Sequence, residues 1–318
     1  MIDFLLNLHK IFYGKNEKNH YKTSNLFLWL LTNLMSRGVE KFLNVWLVMR
    51  RICNIRSSQK GVVNDEIILS FTSFPARIKN VWMVVDSIFR QTMLPGKIQL
   101  WLSEENFPNR DLDLPLSLMR YVKMGLEICW VKEDLKPHKK YLYSFRMFPN
   151  KCVVTIDDDI YYRKDLVESL WNLHLRFPNC VCGHRGCRIS LGKPYKDWSS
   201  GCETNKPSHD YLLTGCGGVI YSVELFKKVS VDNPEMIKEL SLTTDDLWLK
   251  TMEVLNEISV VIGDYYPNGP VTLGSQKKSL MSKNCDALSS NNDISWTALD
   301  RMFGVEKKIL DLNNRKYE

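Results

Sequence analysis

From Glu66 to Pro178 the apolar residues change period again and again. "EIILSFTSF" (Glu66–Phe74) is a run of β-branched and aromatic residues, the pattern of a buried strand, and Pro75 closes it. In "RIKNVWMVVDSIFRQT" the apolar positions are Ile78, Val81, Trp82, Val85, Ile88 and Phe89, spaced for one face of a helix. "KIQLWLS" is a second strand, and "LPLSLMRYVKMG" a short helix stopped by Gly125. "LEICWVKE" is a third strand, "KKYLYSFRMFPN" a helix ended at Pro149, "CVVTI" a fourth strand and "KDLVESLWNLHLRFP" a helix. Strands alternating with helices predict the α/β class, with a mostly parallel sheet flanked by helices. In such sheets ligands bind beyond the carboxyl ends of the strands.

The second half is less regular. "RISLGKPYKDWSSGCETNKPSHDYLLTGCGGVIYS" reads as loops, then a glycine pair beside a short strand. "TTDDLWLKTMEVLNE" is a helix with Thr243 or Thr244 as N-cap and Asp245 and Asp246 in its first turn. "SSNNDISWTALDRMFG" places a polar cap before a last helix.

Residues 1–60 follow another pattern. "NLFLWLLTNLM" and "KFLNVWLVMRRI" are each shorter than the roughly 20 apolar residues that span a bilayer, and Arg37, Glu40 and Lys41 interrupt them. Asp3 spoils the first apolar patch as a secretory signal, and no small-residue cleavage site follows. The formal charge of +7 belongs to this segment. It holds ten Lys/Arg against Asp3, Glu17 and Glu40, and the remaining 33 basic and 33 acidic residues balance. The charge is therefore no nucleic-acid footprint of the whole domain. It predicts an N-terminal helical appendage of basic, amphipathic helices (1–60) ahead of one large domain (61–318). Such helices suit an anionic membrane surface; the competing reading packs them on the domain or on a partner subunit. Nine cysteines without a secretory signal fit reduced thiols and a cytoplasmic location, peripheral on the inner membrane face. "NCVCGHRGC" lacks the paired Cys-x2-Cys of zinc knuckles and reads as buried free thiols.

Candidate chemistry centres on "CVVTIDDDIYYRKDL", where a short apolar strand runs into Asp157, Asp158 and Asp159. Neighbouring carboxylates repel, and each costs several kcal/mol if desolvated and unpaired. A divalent cation bound by oxygen ligands is the simplest way to make the triplet tolerable. A capped helix start is the competing reading, although a cap needs one Asp and not three.

The ordered series "SFTSFPARI", "WLSEENFP", Lys139-Lys140, "TIDDDI", "GCGGVIYS" and "TTDDLW" resembles GT-A-fold glycosyltransferases with a DxD motif. More narrowly, it resembles those of bacterial capsule and O-antigen clusters, over about Ile67 to Trp296. The resemblance implies a metal-dependent enzyme that moves a sugar from a nucleotide-sugar donor, a UDP-sugar first, to a lipid-linked or lipopolysaccharide glycan acceptor, inverting the anomeric centre. It implies Mn²⁺ or Mg²⁺ held by Asp157 and Asp159, with Asp293, beside Asn292, as the candidate third ligand, since no histidine follows His209. It places Asp158 at the ribose or behind the other two. Thr72, Ser73 and Arg77 would face the nucleotide, Asp134 the uracil imide, and Lys139 and Lys140 the phosphates. Gly217 and Gly218 would let the backbone approach the donor sugar. Trp248 and Arg185 would meet the acceptor, with core packing the alternative for Trp248 and a structural role the simpler one for His184. Asp246, ahead of Asp245, would be the base that takes the proton from the acceptor hydroxyl.

Two other classes compete. A haloacid-dehalogenase-type phosphohydrolase also ends a strand in Asp-x-Asp, but its pattern wants Thr or Val where this chain has Tyr161, and here a long α/β stretch precedes the triplet. A non-catalytic carbohydrate-binding protein or scaffold on the same fold would not need both the triplet and the Asp245-Asp246 pair.

Overall fold

The computed structural model describes residues 1–21, 26–52, 61–199, 201–265, 269–272 and 290–314. Its centre is a seven-stranded sheet in the order β3-β2-β1-β4-β8-β5-β9. The strands are β1 (Val62–Thr72), β2 (Met93–Ser103), β3 (Leu126–Val131), β4 (Cys152–Thr155), β5 (Cys180–Gly183), β8 (Val219–Ser222) and β9 (Ser259–Ile262). A two-stranded antiparallel ribbon, β6 (Gly186–Arg188) and β7 (Tyr211–Leu213), stands beside it. All neighbours in the main sheet are parallel except at β8, which runs against both β4 and β5. The mostly parallel sheet expected from the sequence is thus present, with one reversed strand.

Ten helices flank it among the described residues. They are α1 (Ile2–Tyr21), α2 (Leu26–Ile52), α3 (Val81–Ile88), α4 (Leu116–Val122), α5 (Lys139–Met147), α6 (Leu166–Arg176), α7 (Pro234–Leu240), α8 (Asp245–Leu255), α9 (Asn291–Phe303) and α10 (Val305–Asn314). The period of two in β1 decides which face each residue serves. Ile67, Leu69 and Phe71 join α3, α4 and α6 in one core, while Ile68 joins α5, α8, α9 and α10 in the other. Ser290 caps α9 by accepting the Asp293 N–H, and Gly304 ends that helix at φ 63°.

Chain order positions the site. From β1 the chain moves outward to β2 and β3, then returns to β4 on the other side of β1. That reversal opens a crevice beyond the carboxyl ends of β1 and β4, the place where open α/β sheets take ligands. Ser70 pairs with Thr155, so the loop after β1 and the Asp triplet leave the sheet side by side.

The sequence pattern did not show β5, β6, β7, β9 or α7. Each strand among them has only three or four residues, too few for a period to register.

The N-terminal helices pack on the sheet domain. Ile2, Leu5 and Leu6 of α1 and Val39, Leu43 and Leu47 of α2 share the core that contains Ile67 and Val154. Asp3 pairs with Lys164 at 3.3 Å, and Asn7 accepts from Arg163 at 2.8 Å. The reading that packs this segment on the domain therefore holds for one face. The opposite face exposes Phe4, Ile11, Leu30, Leu34, Phe42, Val45 and Met49, together with Lys10, Arg37 and Lys41. Lys22, Arg56 and Lys60 lie outside the described residues. No helix among the described residues is long and apolar enough to cross a membrane.

Candidate active site

The triplet follows β4 directly, and counter-charges from two other elements meet it. Ser73, just past β1, donates its hydroxyl to Asp158 Oδ2 at 2.5 Å. Arg77 donates to Asp158 Oδ1 at 2.6 Å and pairs with Asp159 Oδ2 at 3.0 Å. One planar guanidinium thus serves two neighbouring carboxylates through two of its nitrogens. Asp157 pairs instead with Lys140 of α5, at 3.0 Å. Its backbone N–H donates to the Tyr162 hydroxyl at 2.9 Å, which fixes the start of the loop. Burial, then the charge of Asp157, pushes the Asp159 carboxyl up to about 7. Burial also raises the Asp158 carboxyl, against the pull of Arg77.

The second acidic group opens α8. Asp245 Oδ2 lies 2.8 Å from Lys140 Nζ. Asp246 faces the glycine turn Gly215–Gly217, whose Gly215 N–H donates to both its oxygens, at 3.2 and 3.3 Å. Burial and then the neighbouring Asp245 push the Asp246 carboxyl well above the usual carboxylate range, with Lys140 opposing. Burial works against the Lys140 charge; Asp157, Asp245 and Asp246 outweigh it and keep the ammonium charged.

Gly215 marks where the two groups converge. A Cβ built on it would stand 2.6 Å from Lys140 Nζ, 3.1 Å from Asp157 Oδ1 and 3.5 Å from Asp246 Oδ1. The sequence singled out Gly217 and Gly218, one step further along. Gly217 packs where a Cβ would meet Arg185 Cβ at 2.6 Å, and Gly218 holds φ +77° above Leu166 and Leu170. They shape the turn, and Gly215 faces the carboxylates. The signal was the first glycine of "GCGG". Arg185 is exposed beside this turn and contacts Cys216 Sγ at 2.5 Å.

Several candidates stand elsewhere or face other partners. Thr72 donates to the Trp101 carbonyl at 2.8 Å and ties β1 to β2. Asp134 accepts from Asn106, Lys136 and Lys139, which hold its carboxyl down at about 2 against burial. Lys139 is buried in that pair, so it is Lys140 alone of the two lysines that enters the acidic centre. Trp248 is 1% exposed and donates to the Val231 carbonyl at 3.0 Å. Leu247 through Val254 are all buried, so α8 offers that indole no open face and Trp248 is core. Asp293 accepts the Tyr195 N–H at 2.6 Å from the first turn of α9. No group of three His, Cys, Asp or Glu side chains converges among the described residues, so the structure does not bring Asp293 to Asp157 and Asp159. His184 bonds Ser169 and packs on Tyr265, the structural role.

The donor set fits a hard divalent cation. It is all oxygen, and five carboxylates, Asp157, Asp158, Asp159, Asp245 and Asp246, gather around two cationic side chains, Arg77 and Lys140. Two protein carboxylates with phosphate and water completing the shell is the usual arrangement for such ions.

No protein-family profile and no curated protein matches the chain. Among solved structures, S. aureus TarS 1-349 in complex with UDP-GlcNAc aligns at 15% identity and a TM-score of 0.45, over 78% of this chain and 66% of that one. S. aureus TarS 1-349 without that ligand aligns at 13% and 0.41, over 65% of this chain and 59% of that one. An apo UDP-glucose pyrophosphorylase aligns at 9% and 0.36, over 67% of this chain and 92% of that one. The chain thus spans under two thirds of the length of the first of these, and likeness so distant assigns it no substrate.

Proposed function

We propose that the chain is a metal-dependent glycosyltransferase of the GT-A type, which moves a sugar from a nucleotide sugar to a hydroxyl of a glycan acceptor. The observation that carries this is the convergence of Asp157, Lys140 and Asp246 around Gly215 at the mouth of the β1/β4 crevice. It joins a place for a cation and a diphosphate to a place for a base.

Asp157 and Asp159 would hold Mn²⁺ or Mg²⁺. When bound, the cation supplies Lewis-acid stabilisation of the departing diphosphate. Arg77 and Ser73 hold Asp158 as a fixed wall, Arg77 also steadies Asp159, and Asp157 is the most open of the three. Lys140 is the buried positive charge between the two acidic groups, paired with Asp157 and Asp245, and would also attract a phosphate. Asp246 is the base. Burial and then Asp245 raise its affinity for a proton, as suits a group that must take one, and the Gly215 N–H fixes its oxygens. The acceptor hydroxyl attacks the anomeric carbon from the face opposite the diphosphate and gives its proton to Asp246, so configuration inverts. Arg185, exposed at the rim, meets the acceptor.

The donor is a UDP-sugar and the acceptor a lipid-linked or lipopolysaccharide glycan on the cytoplasmic membrane face. The outer face of α1 and α2 supports that location: exposed apolar side chains share it with exposed Lys10, Arg37 and Lys41. Deleting residues 1–60 would be a poor test, because it would strip part of the core. Leu34→Ser with Phe42→Ser in the full chain should lower pelleting with anionic vesicles and leave folding intact.

The decisive assay is release of nucleoside diphosphate from UDP- and GDP-sugars, with polyprenyl-linked or lipopolysaccharide acceptors, in Mn²⁺ and in EDTA. Acceptor-dependent release lost in EDTA supports the reading. Phosphate-ester hydrolysis without sugar transfer would move the chain to the hydrolase class.

A further inference from the structure

The loop that carries the triplet is clamped from behind. Residues 269–272 run antiparallel to the chain that follows Asp158: Ile160 bridges Val271, the Tyr161 N–H donates to the Pro270 carbonyl at 3.0 Å, and the Thr272 N–H donates to the Asp159 carbonyl at 2.8 Å. The approach is close enough to require glycine, since a Cβ on Gly269 would lie 1.8 Å from the Tyr161 carbonyl oxygen.

The other side of this segment is held by α2. Asn44 donates from Nδ2 to the Val271 carbonyl at 3.0 Å and to the Glu40 carbonyl one turn back at 2.9 Å. Asn44 is buried between core residues Leu43 and Leu47, where an apolar side chain would pack without a polar partner to satisfy. The same helix pair also reaches the base of the loop. Tyr161 donates to Asp86 Oδ2 at 2.8 Å and accepts from Arg90 at 2.9 Å. Arg50 of α2 lies 3.5 Å from Asp86, and Asp3 of α1 lies 3.8 Å from Arg90.

We propose that the N-terminal helix pair is a working part of the donor site. Through Asn44 it presses segment 269–272 against the triplet loop and so fixes where the Asp157 and Asp159 carboxylates point. Asn44 is a positioning residue: it touches neither donor nor cation and acts through Val271, Thr272 and Asp159. The proposal rests on the triplet being the donor site.

The test uses the full chain. Asn44→Asp keeps the volume and sets an acceptor against the Val271 carbonyl; Asn44→Ala removes the amide. Two readouts are taken: hydrogen exchange at the Tyr161 and Thr272 amides, and Mn²⁺-dependent binding of whichever of UDP or GDP the wild type takes. Both variants should speed exchange at these two amides on the order of tenfold. Both should weaken nucleotide binding about tenfold, the size of one net hydrogen bond; the thermal midpoint should stay close to wild type in Asn44→Ala and fall in Asn44→Asp, which buries a charge. Wild-type exchange at both amides overturns the clamp. Faster exchange with unchanged nucleotide binding overturns the positioning role. If the wild type binds neither nucleotide, the donor-site reading fails, and exchange alone then decides whether Asn44 holds the loop.

Discussion

The triplet Asp157–Asp159 and the pair Asp245–Asp246 are both runs of adjacent carboxylates at the mouth of one crevice, but they are neutralised in different ways. In the triplet, Arg77 grips Asp158 and Asp159 with two nitrogens, and Ser73 adds a hydroxyl. In the pair, Lys140 lies against Asp245, and Asp246 receives only the Gly215 N–H at longer range. A rigid fork makes a fixed anionic wall suited to a cation. Burial and then Asp245 leave Asp246 eager for a proton, and Lys140 and the Gly215 N–H do not offset them. The same residue type thus meets different partners in the two groups, and in the proposed reading the first holds a cation and the second supplies the base.

The contrast is broken most sharply at Asp246. Asp246→Asn should lower sugar transfer about 10²–10⁴-fold, the usual share of a general base, while nucleotide binding persists. If Asp245→Asn alone is the inactive variant, the roles within the pair are reversed. At the wall, Arg77→Ala strands two buried carboxylates and should cost about 3–5 kcal/mol in denaturant unfolding. Adding Asp158→Asn should restore part of that loss, and a double variant no better than the single would remove Arg77 as the keystone of the triplet.

These two predictions also show what the sequence could and could not give. β1 to β4 and α3 to α6 were legible because several turns or pleats of regular apolar spacing lie between clear stops. β5 and β9 are four apolar residues each, and nothing local separates them from loop. The site was legible as residue types and not as partnerships. Asp157–Asp159, Ser73, Lys140 and Asp245–Asp246 all stand at the crevice. That Arg77 would turn onto Asp158, 81 positions away, is a matter of tertiary distance. Lys139 and Lys140 are adjacent in sequence, yet on the first turn of α5 they point to different carboxylates, Asp134 and Asp157. Trp248 looked available until α8 proved to be wrapped on all sides. "GCGG" offers three glycines, and only backbone direction shows that the first faces the acids.

Gly215→Ala sharpens the comparison with a smaller effect. The added methyl would stand 2.6 Å from Lys140 Nζ and 3.1 Å from Asp157 Oδ1, so the buried ion pairs must give and the thermal midpoint should fall by a few degrees. Displacing Lys140 separates the two acidic groups, and transfer should fall on the order of 10²-fold, the cost of a misplacement near 1 Å. Unchanged turnover would mean that Lys140 has no part in joining them.

A further effect is in pH. His138 is buried between the Tyr141 hydroxyl and the Ser241 carbonyl, at 2.7 and 2.8 Å, and ties the start of α5 to the turn before Asp245. Burial lowers its pKa to about 4. The unfolded chain therefore binds the proton first as pH falls from about 6.5, and the folded state loses about 1.4 kcal/mol per pH unit down to about 4. Above 6.5 both states carry a neutral ring and the contribution is constant. His138→Gln should flatten the fall in unfolding free energy across that window. An unchanged slope would show that His138 is not held neutral in the fold.

The central claim is that the triplet completes itself with a cation and a nucleotide diphosphate. Calorimetric titration of the full chain with UDP and with GDP, each in Mn²⁺ and in EDTA, tests it most directly. The account predicts tight UDP binding in Mn²⁺ that disappears in EDTA and in Asp159→Asn. Binding of neither nucleotide in Mn²⁺, or binding that EDTA leaves unchanged, would contradict it.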